Sequence, residues 1–412
     1  MLGAPVWWVL GLNLGIYHCA ALVMFMIVMQ RSYEGVRPVT IFFPAIALSG
    51  LILILFFSLA IRVPTAEPSR IAASFYNISF WLMGLMLVLS LGNQPEIAAE
   101  PRWWLSALAG LAFVTGAASL VLLFLQFRGV TDFSFASPFY FLTRIFGHTV
   151  LIENSVVIHP LYLDWVETGI QSRLNLLSPY PTAAGAVLMM LIFMSHGWAS
   201  LQSKVRRSAA YFLIAANLLG LYLTLSRTAI AALIIGFIFV YLIEKKSIFI
   251  WIFMAFLLFL MTLPWLLQLI NWVLEWRYNS TLGRFWLYRY SLELLQGPDW
   301  IIGMGLKPRL ATVMAMPVGS HSTYLSITIK SGLLGLFLFL LFQANIFFRW
   351  YGIKDKIKIL REDHVLWEVV GRILISMAFW MITEDIDAPQ LVCFLYFSSL
   401  GLLEALRRKV LS

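Results

Sequence analysis

The sequence predicts an all-α integral membrane protein: a polytopic helical bundle of about 11 to 12 transmembrane helices with two long connections on one side. Three observations carry this. The 412 residues are 61% hydrophobic and 12% charged, with a mean hydropathy of +0.86, whereas water-soluble domains carry about a quarter charged residues. Apolar runs of roughly 17 to 25 residues recur, the length of a helix crossing a hydrocarbon core about 30 Å thick. The alternating strands of a transmembrane barrel, about ten residues each, are not seen.

The runs fall near 5–29, 39–61, 74–92, 103–127, 179–198, 208–225, 228–243, 247–270, 322–348, 365–383 and 390–406. A further span, or a re-entrant or interfacial piece, fits 136–163, where Arg144, His148, Glu153, His159 and Pro160 interrupt an otherwise apolar stretch. The first run lacks a basic leader and a small-residue cleavage site and reads as a retained span. The chain thus divides into N-terminal transmembrane helices (1–127), an outward or partly re-entrant segment (128–178), central transmembrane helices (179–270), an outward loop (271–321) and C-terminal transmembrane helices (322–412).

Charge placement sets the orientation. Lys204-Val-Arg-Arg207, Lys245-Lys246, the basic 349–361 loop and Arg407-Arg408-Lys409 fall on one side by span counting, which the positive-inside rule makes cytoplasmic. The connections 128–178, Ser226-Arg227, 271–321 and the acidic Glu384-Asp-Ile-Asp387 then face outward. The same topology accounts for the net charge of +9, so nucleic acid is not an expected partner. Cys19 and Cys393 lie inside apolar runs, which argues against a disulfide framework or a thiolate metal site. There is no GxxxxGK[ST] phosphate loop, and no carboxylate cluster has metal-ligand spacing, so metal-independent chemistry with no cofactor is expected.

Outward loops of about 50 residues are long enough to carry function, and three residues on that side stand out. Arg227 sits between two apolar helices without an acid at i±3 or i±4, and is either a snorkelling arginine, a ligand for an anion, or the partner of a distant carboxylate such as Glu384 or Asp385. Arg284 lies on an amphipathic stretch with Tyr288 and Ser291 one and two turns on, a set suited to phosphate or sugar, with a solvent-exposed arginine as the alternative. His321 precedes an apolar helix that Ser320 or Ser322 can cap, which places its imidazole in the first turn. Imidazole titrates near neutrality and suits proton abstraction from a sugar hydroxyl; an inert interfacial histidine is the alternative. Ser322, Thr323 and Tyr324 make the junction polar. Arg289 has Glu293 one turn on, and Glu368 has Arg372, so both read as structural pairs. Lys330, about half a revolution round from His321, is expected to meet a carboxylate or a water pocket.

Taken together, Ser226-Arg227-Thr-Ala, Gly283-Arg284 with Trp286, Gly303-Met-Gly305, and His321-Ser-Thr-Tyr324-Leu325 followed by Gly332-Leu-Leu-Gly335 resemble the O-antigen ligase and polymerase superfamily of bacterial membrane glycosyltransferases. The resemblance covers roughly 179–348. It implies a GT-C-like bundle in the bacterial inner membrane with a periplasmic active site, an undecaprenyl-diphosphate-linked glycan as donor, and Arg227 and Arg284 on its diphosphate. It also implies that His321 assists the attacking acceptor hydroxyl, with Tyr288, Ser291, Ser322 and Tyr324 as possible substrate contacts. Ser322 replaces an asparagine often found after the histidine, and Lys330 stands where an acid is common. The loop of about 50 residues before His321, with Trp272, Trp276, Trp286 and Trp300 and several arginines, suits a bulky anionic acceptor such as lipid A core oligosaccharide, which favours ligase over polymerase. A transporter of lipid-linked glycan or another anion is the reading from a different class; no inverted repeat supports it.

Overall fold

The computed structural model describes residues 3–146, 153, 155–166, 169–245, 278–308, 317–357 and 360–411. The expected span at 247–270 and the tryptophans Trp272 and Trp276 lie outside the described residues. In chain order the elements are α1 (Ala4–Leu10), α2 (Ile16–Tyr33), α3 (Phe43–Arg62), α4 (Pro68–Gly92), α5 (Pro101–Phe127), β1 (Phe133–Ala136), α6 (Leu142–Phe146), β2 (Val157–Val166) and β3 (Gly169–Leu174). They continue with α7 (Pro181–Ser200), α8 (Lys204–Leu223), α9 (Arg227–Glu244), α10 (Tyr278–Glu293), α11 (Asp299–Ile302), α12 (Thr323–Gly352), α13 (Arg361–Trp380) and α14 (Gln390–Leu411).

Among the described residues seven helices are long and apolar enough to cross a membrane: α3, α4, α5, α7, α9, α12 and α14. The chain is a polytopic helical membrane protein. α2, α8 and α13 coincide with the remaining apolar runs, but α8 starts on Lys204, Arg206 and Arg207, and α13 carries Glu362, Asp363, Glu368 and Arg372. Prolines in the first turn start α3, α4, α5 and α7, where a missing N–H leaves no helical bond unmade. The most enclosed helices are α14 and α7. α14 packs on α4 and α13, α12 on α3, α9 on α13, and α7 on α8 and α5.

Side-chain contacts sort the connections into two ends, as the charge pattern predicts. At the basic end Lys409 pairs with Asp363 at 2.8 Å, Arg102 with Glu362 at 2.6 Å, and Lys354 donates to the Ile243 carbonyl. At the other end Thr182, Thr228, Arg284, His321 and the 381–389 connection meet. The predicted pairs Arg289–Glu293 and Glu368–Arg372 are present at 2.8 and 3.0 Å.

The 128–178 segment departs from the all-α expectation. In place of an extra span it holds a three-stranded antiparallel sheet in the order β1-β2-β3, with Phe135 opposite Ile158 and Leu161 opposite both Phe133 and Leu174. Ile158, Leu161 and Leu174 are buried on the bundle, while the polar residues that interrupt a helical pattern are tolerated in strands with one wet face. The sheet is fastened to the helices by Gln126 Nε2 donating to Ser172 Oγ at 3.0 Å and Arg173 Nε donating to the Thr224 carbonyl at 2.9 Å. That second bond fixes the chain just before Arg227.

α12 is broken at Gly332, whose φ of +65° is left-handed. The break exposes carbonyls that a continuous helix would satisfy internally, and an apolar surrounding makes unpaired carbonyls costly. The Gly303–Gly305 turn supplies the donors: Met304 N bonds the Ile329 carbonyl at 2.6 Å and Gly305 N bonds the Lys330 carbonyl at 3.0 Å. The approach is so close that a Cβ on Gly303 would lie 2.3 Å from Ser331 N, and one on Gly332 would lie 2.2 Å from the Ile301 carbonyl oxygen. Glycine at both positions is a packing requirement.

Candidate active site

Three helices begin at the non-basic end within reach of one another, two of them in the same way. Leu225 has a left-handed φ of +52° and turns the chain so that Ser226 caps α9, accepting from Ala229 N at 3.4 Å. His321 has φ +63° and hands the chain to Ser322, which caps α12 by accepting from Leu325 N at 3.3 Å. His321 therefore precedes the cap, rather than sitting in the first helical turn as the sequence suggested. Left-handed backbone at a non-glycine residue costs roughly 1–2 kcal/mol, and such strain is held where the surroundings over-determine it. Here Tyr288 does so by donating its hydroxyl to the His321 carbonyl. Burial pushes the Tyr288 phenol up to about 12, which keeps it protonated as the donor.

The third helix, α7, starts beside them and brings Thr182. All three N-termini surround the connection between α13 and α14. Thr323 N donates to the carbonyls of Met381 and Glu384 at 2.9 and 3.0 Å, Thr323 Oγ1 donates to the Glu384 carbonyl at 2.7 Å, and Ile386 N donates back to it at 3.0 Å. Thr383 Oγ1 donates to Thr228 Oγ1, next to Arg227, at 2.9 Å. Helix N-termini present partial positive charge, and their convergence makes this a favourable place for an anion.

The anion in this structure is the protein's own Glu384. Its side chain is 3% exposed, accepts from Thr182 Oγ1 at 3.0 Å and from Arg284 Nη2 at 3.1 Å, and lies 3.9 Å from His321 Nδ1. The last distance is longer than a hydrogen bond, and it becomes an ion pair only when the imidazole is protonated. Burial alone would raise the Glu384 pKa, but the imidazole, the guanidinium and the threonine hydroxyl outweigh it and hold the carboxyl below its ordinary value. The acid missing around Arg284 in sequence is thus supplied from 100 residues away. Arg284 also donates to the Thr383 carbonyl at 3.4 Å.

A layer of buried charge lies against this site. Lys307 pairs with Asp385 at 2.7 Å, and Lys330 pairs with Asp387, which also accepts from Trp81 Nε1 at 3.4 Å. Lys330 meets a carboxylate, as expected. Burial would lower the Lys307 pKa, but Asp385 and Asp387 outweigh it and raise it, so Lys307 stays charged. Removing one member of such a pair leaves an uncompensated buried charge, which locks the 303–308 turn, α12 and the 384–387 segment together. The sequence places the acidic segment on the outward side and offers Glu384 or Asp385 as a distant partner for Arg227, without saying that the segment is buried. It is buried, and the signal that could have found it is that Lys330, set in an apolar helix, needs an acid on the same side.

The sequence-predicted site residues are therefore sorted. Arg284 and His321 converge on Glu384, and Arg227 opens α9 beside the same connection. The four hydroxyls read as possible substrate contacts are engaged within the protein: Tyr288 on the His321 carbonyl, Ser322 on its cap, and Ser291 buried, donating to the Leu287 carbonyl and accepting from Gly319 N at 2.9 Å. Tyr324 points into the bundle, with its hydroxyl 3.0 Å from Gln343 Oε1 and 3.1 Å from the Ala378 carbonyl. Among the described residues one group has metal-ligand types, His364 between Glu244 and Glu368. It lies at the basic end, the length of α9 away, about 25 Å at 1.5 Å per residue.

No curated protein matches this chain. Residues 210–340 match the family described as O-antigen ligase. The match takes in Arg227, Arg284, the Gly303–Gly305 turn, His321 and the Gly332 break, and stops short of Glu384. Members of that family transfer glycans from lipid-linked donors. This chain is a multi-pass membrane protein whose residues 210–340 are similar to the O-antigen ligase family.

Proposed function

We propose that the chain is an O-antigen ligase of the bacterial inner membrane, moving a glycan from undecaprenyl diphosphate to a sugar hydroxyl of lipid A core at the periplasmic face. The observation that carries this is the meeting of Arg284 and His321, both within the matched stretch, on one carboxylate where three helix N-termini converge. The positive-inside rule makes the non-basic end the outward one, which supports a site within reach of lipid-linked glycans and lipid A core.

The reaction is a displacement at the anomeric carbon. The acceptor oxygen bonds to that carbon from the face opposite the diphosphate, the carbon–oxygen bond to the diphosphate breaks, and its electron pair leaves with the undecaprenyl diphosphate. The configuration inverts. Arg227 and Arg284 stabilise the growing negative charge on the leaving group, in a position where oriented donors need no reorganisation. The acceptor proton passes to His321. With Glu384 beside Nδ1, the favoured tautomer carries its proton on Nδ1 and leaves Nε2 as the base. Glu384 acts through the histidine and is a positioning residue. No metal is required, since the donor's diphosphate is already an activated leaving group.

The break in α12 is the kind of feature that transporters place around a midplane binding site. Here the Gly303–Gly305 turn fills it, which supports an enzyme over a carrier. The test is reconstitution in proteoliposomes with undecaprenyl-diphosphate glycan and either lipid A core or a second donor as acceptor. Glycan on lipid A core supports the ligase, elongation of the lipid-linked glycan replaces it with a polymerase, and no transfer to either overturns both.

A further inference from the structure

At the basic end, a crevice of about 750 Å³ opens between α1 and α5, lined by Gly3, Trp7, Glu96, Ile97, Glu100, Trp103, Trp104 and Ala107. The volume is that of a small-molecule site. Its depth is the headgroup layer, because the connection between α4 and α5 carries Glu96, which pairs with Arg37 at 2.6 Å and Arg31 at 3.4 Å, and because Arg102 reaches Glu362. The wall continues along α5 to Ala107, toward the apolar interior of the bilayer.

The chemistry of the lining is one-sided. Three indoles and two carboxylates face the crevice, and among the described residues its lining has no lysine, arginine or histidine. The charge of Glu96 is answered by its two arginines. Glu100 is the residue before Pro101 at the start of α5, makes no capping hydrogen bond, and among the described residues has no ion pair. A carboxylate left in this way beside tryptophan faces complements a cation: the acid supplies charge and the rings supply cation–π attraction. Gly3 leaves room for the Trp7 indole, since a Cβ there would lie 2.8 Å from the ring.

We infer that this crevice binds one phospholipid whose headgroup carries a primary ammonium, with the ammonium on Glu100 among Trp7, Trp103 and Trp104 and an acyl chain along α5. The assignment runs against the rest of that end, whose basic loops attract anionic lipids. It also differs from an ordinary interfacial aromatic belt, which is indifferent to the headgroup.

The test is native mass spectrometry of the full chain, delipidated in detergent and offered equimolar dioleoyl-phosphatidylethanolamine and dioleoyl-phosphatidylglycerol. The expected first adduct is the ethanolamine lipid, favoured about tenfold, as one ammonium–carboxylate contact with aromatic support would give. Glu100→Gln removes that preference while leaving phosphatidylglycerol adducts unchanged, and Glu100→Asp keeps most of it. Glu100 is exposed, so neither change disturbs the core. Equal retention of the two lipids by the wild type, or an unchanged preference in Glu100→Gln, overturns the inference.

Discussion

Replacing Glu384 by glutamine keeps the side chain's volume and leaves one oxygen to accept from Thr182, while the charge goes and an amide NH2 takes the place of the oxygen that accepts from Arg284. Two unit charges about 4 Å apart in an effective dielectric near 20 attract by about 4 kcal/mol, and the cost of burying the carboxylate offsets much of it. Arg284 keeps 27% of its side-chain exposure and can turn to water when its partner is neutral. The net loss of stability is therefore about 1–2 kcal/mol, a fall of a few degrees in Tm. Because the folded-state pKa of Glu384 is depressed, its stabilisation is present above the free glutamate value and is lost as pH falls through the folded value. The Tm gap between wild type and Glu384→Gln should be full at pH 7 and close as the pH falls below the free glutamate value and through the folded one. In proteoliposome transfer assays kcat should fall about 10- to 100-fold, the usual loss when a group that orients a catalytic side chain is removed. A variant with wild-type kcat and wild-type Tm at pH 7 would refute the positioning role.

Three further outcomes follow from the same contacts. Arg227→Ala and Arg284→Ala should each raise the donor KM at least about tenfold and lower kcat, and normal donor affinity in both would remove the diphosphate assignment. Gly332→Ala forces a Cβ against the Ile301 carbonyl at φ +65° and should cost more than about 2 kcal/mol, read as a lower Tm in detergent; an unchanged Tm would mean that the break is not required. Lys330→Met leaves Asp387 buried and unpaired, a loss of about 3–5 kcal/mol, and Lys330→Met with Asp387→Asn should recover most of it. A double variant no more stable than the single one would contradict the pairing.

Much of the bundle was legible because a bilayer imposes one rule on every span: about 20 apolar residues with the backbone satisfied internally. The sheet was not, because ten residues such as Val157–Val166, with Pro160 in their midst, do not differ in composition from an interrupted helix, and only pairing with β1 and β3 decides. The site was half legible. Arg227, Arg284 and His321 were visible as polar residues in apolar company, whereas Glu384 is 100 positions from Arg284 and no local spacing connects them. The glycines of Gly303-Met-Gly305 and Gly332 were recognisable as a pattern, but their reason is a contact between two segments that only the fold brings together. Buried acids in a connection between spans are the general case: sequence shows the charge, and the partner that makes burial tolerable comes from elsewhere.

Transfer depends on His321 taking the acceptor proton. This dependence is tested most directly by His321→Ala in single-turnover transfer, with donor binding measured on the same preparation. The variant should fold, bind the undecaprenyl-diphosphate glycan like wild type and transfer none of it to lipid A core; transfer at the wild-type rate would remove His321 from the reaction.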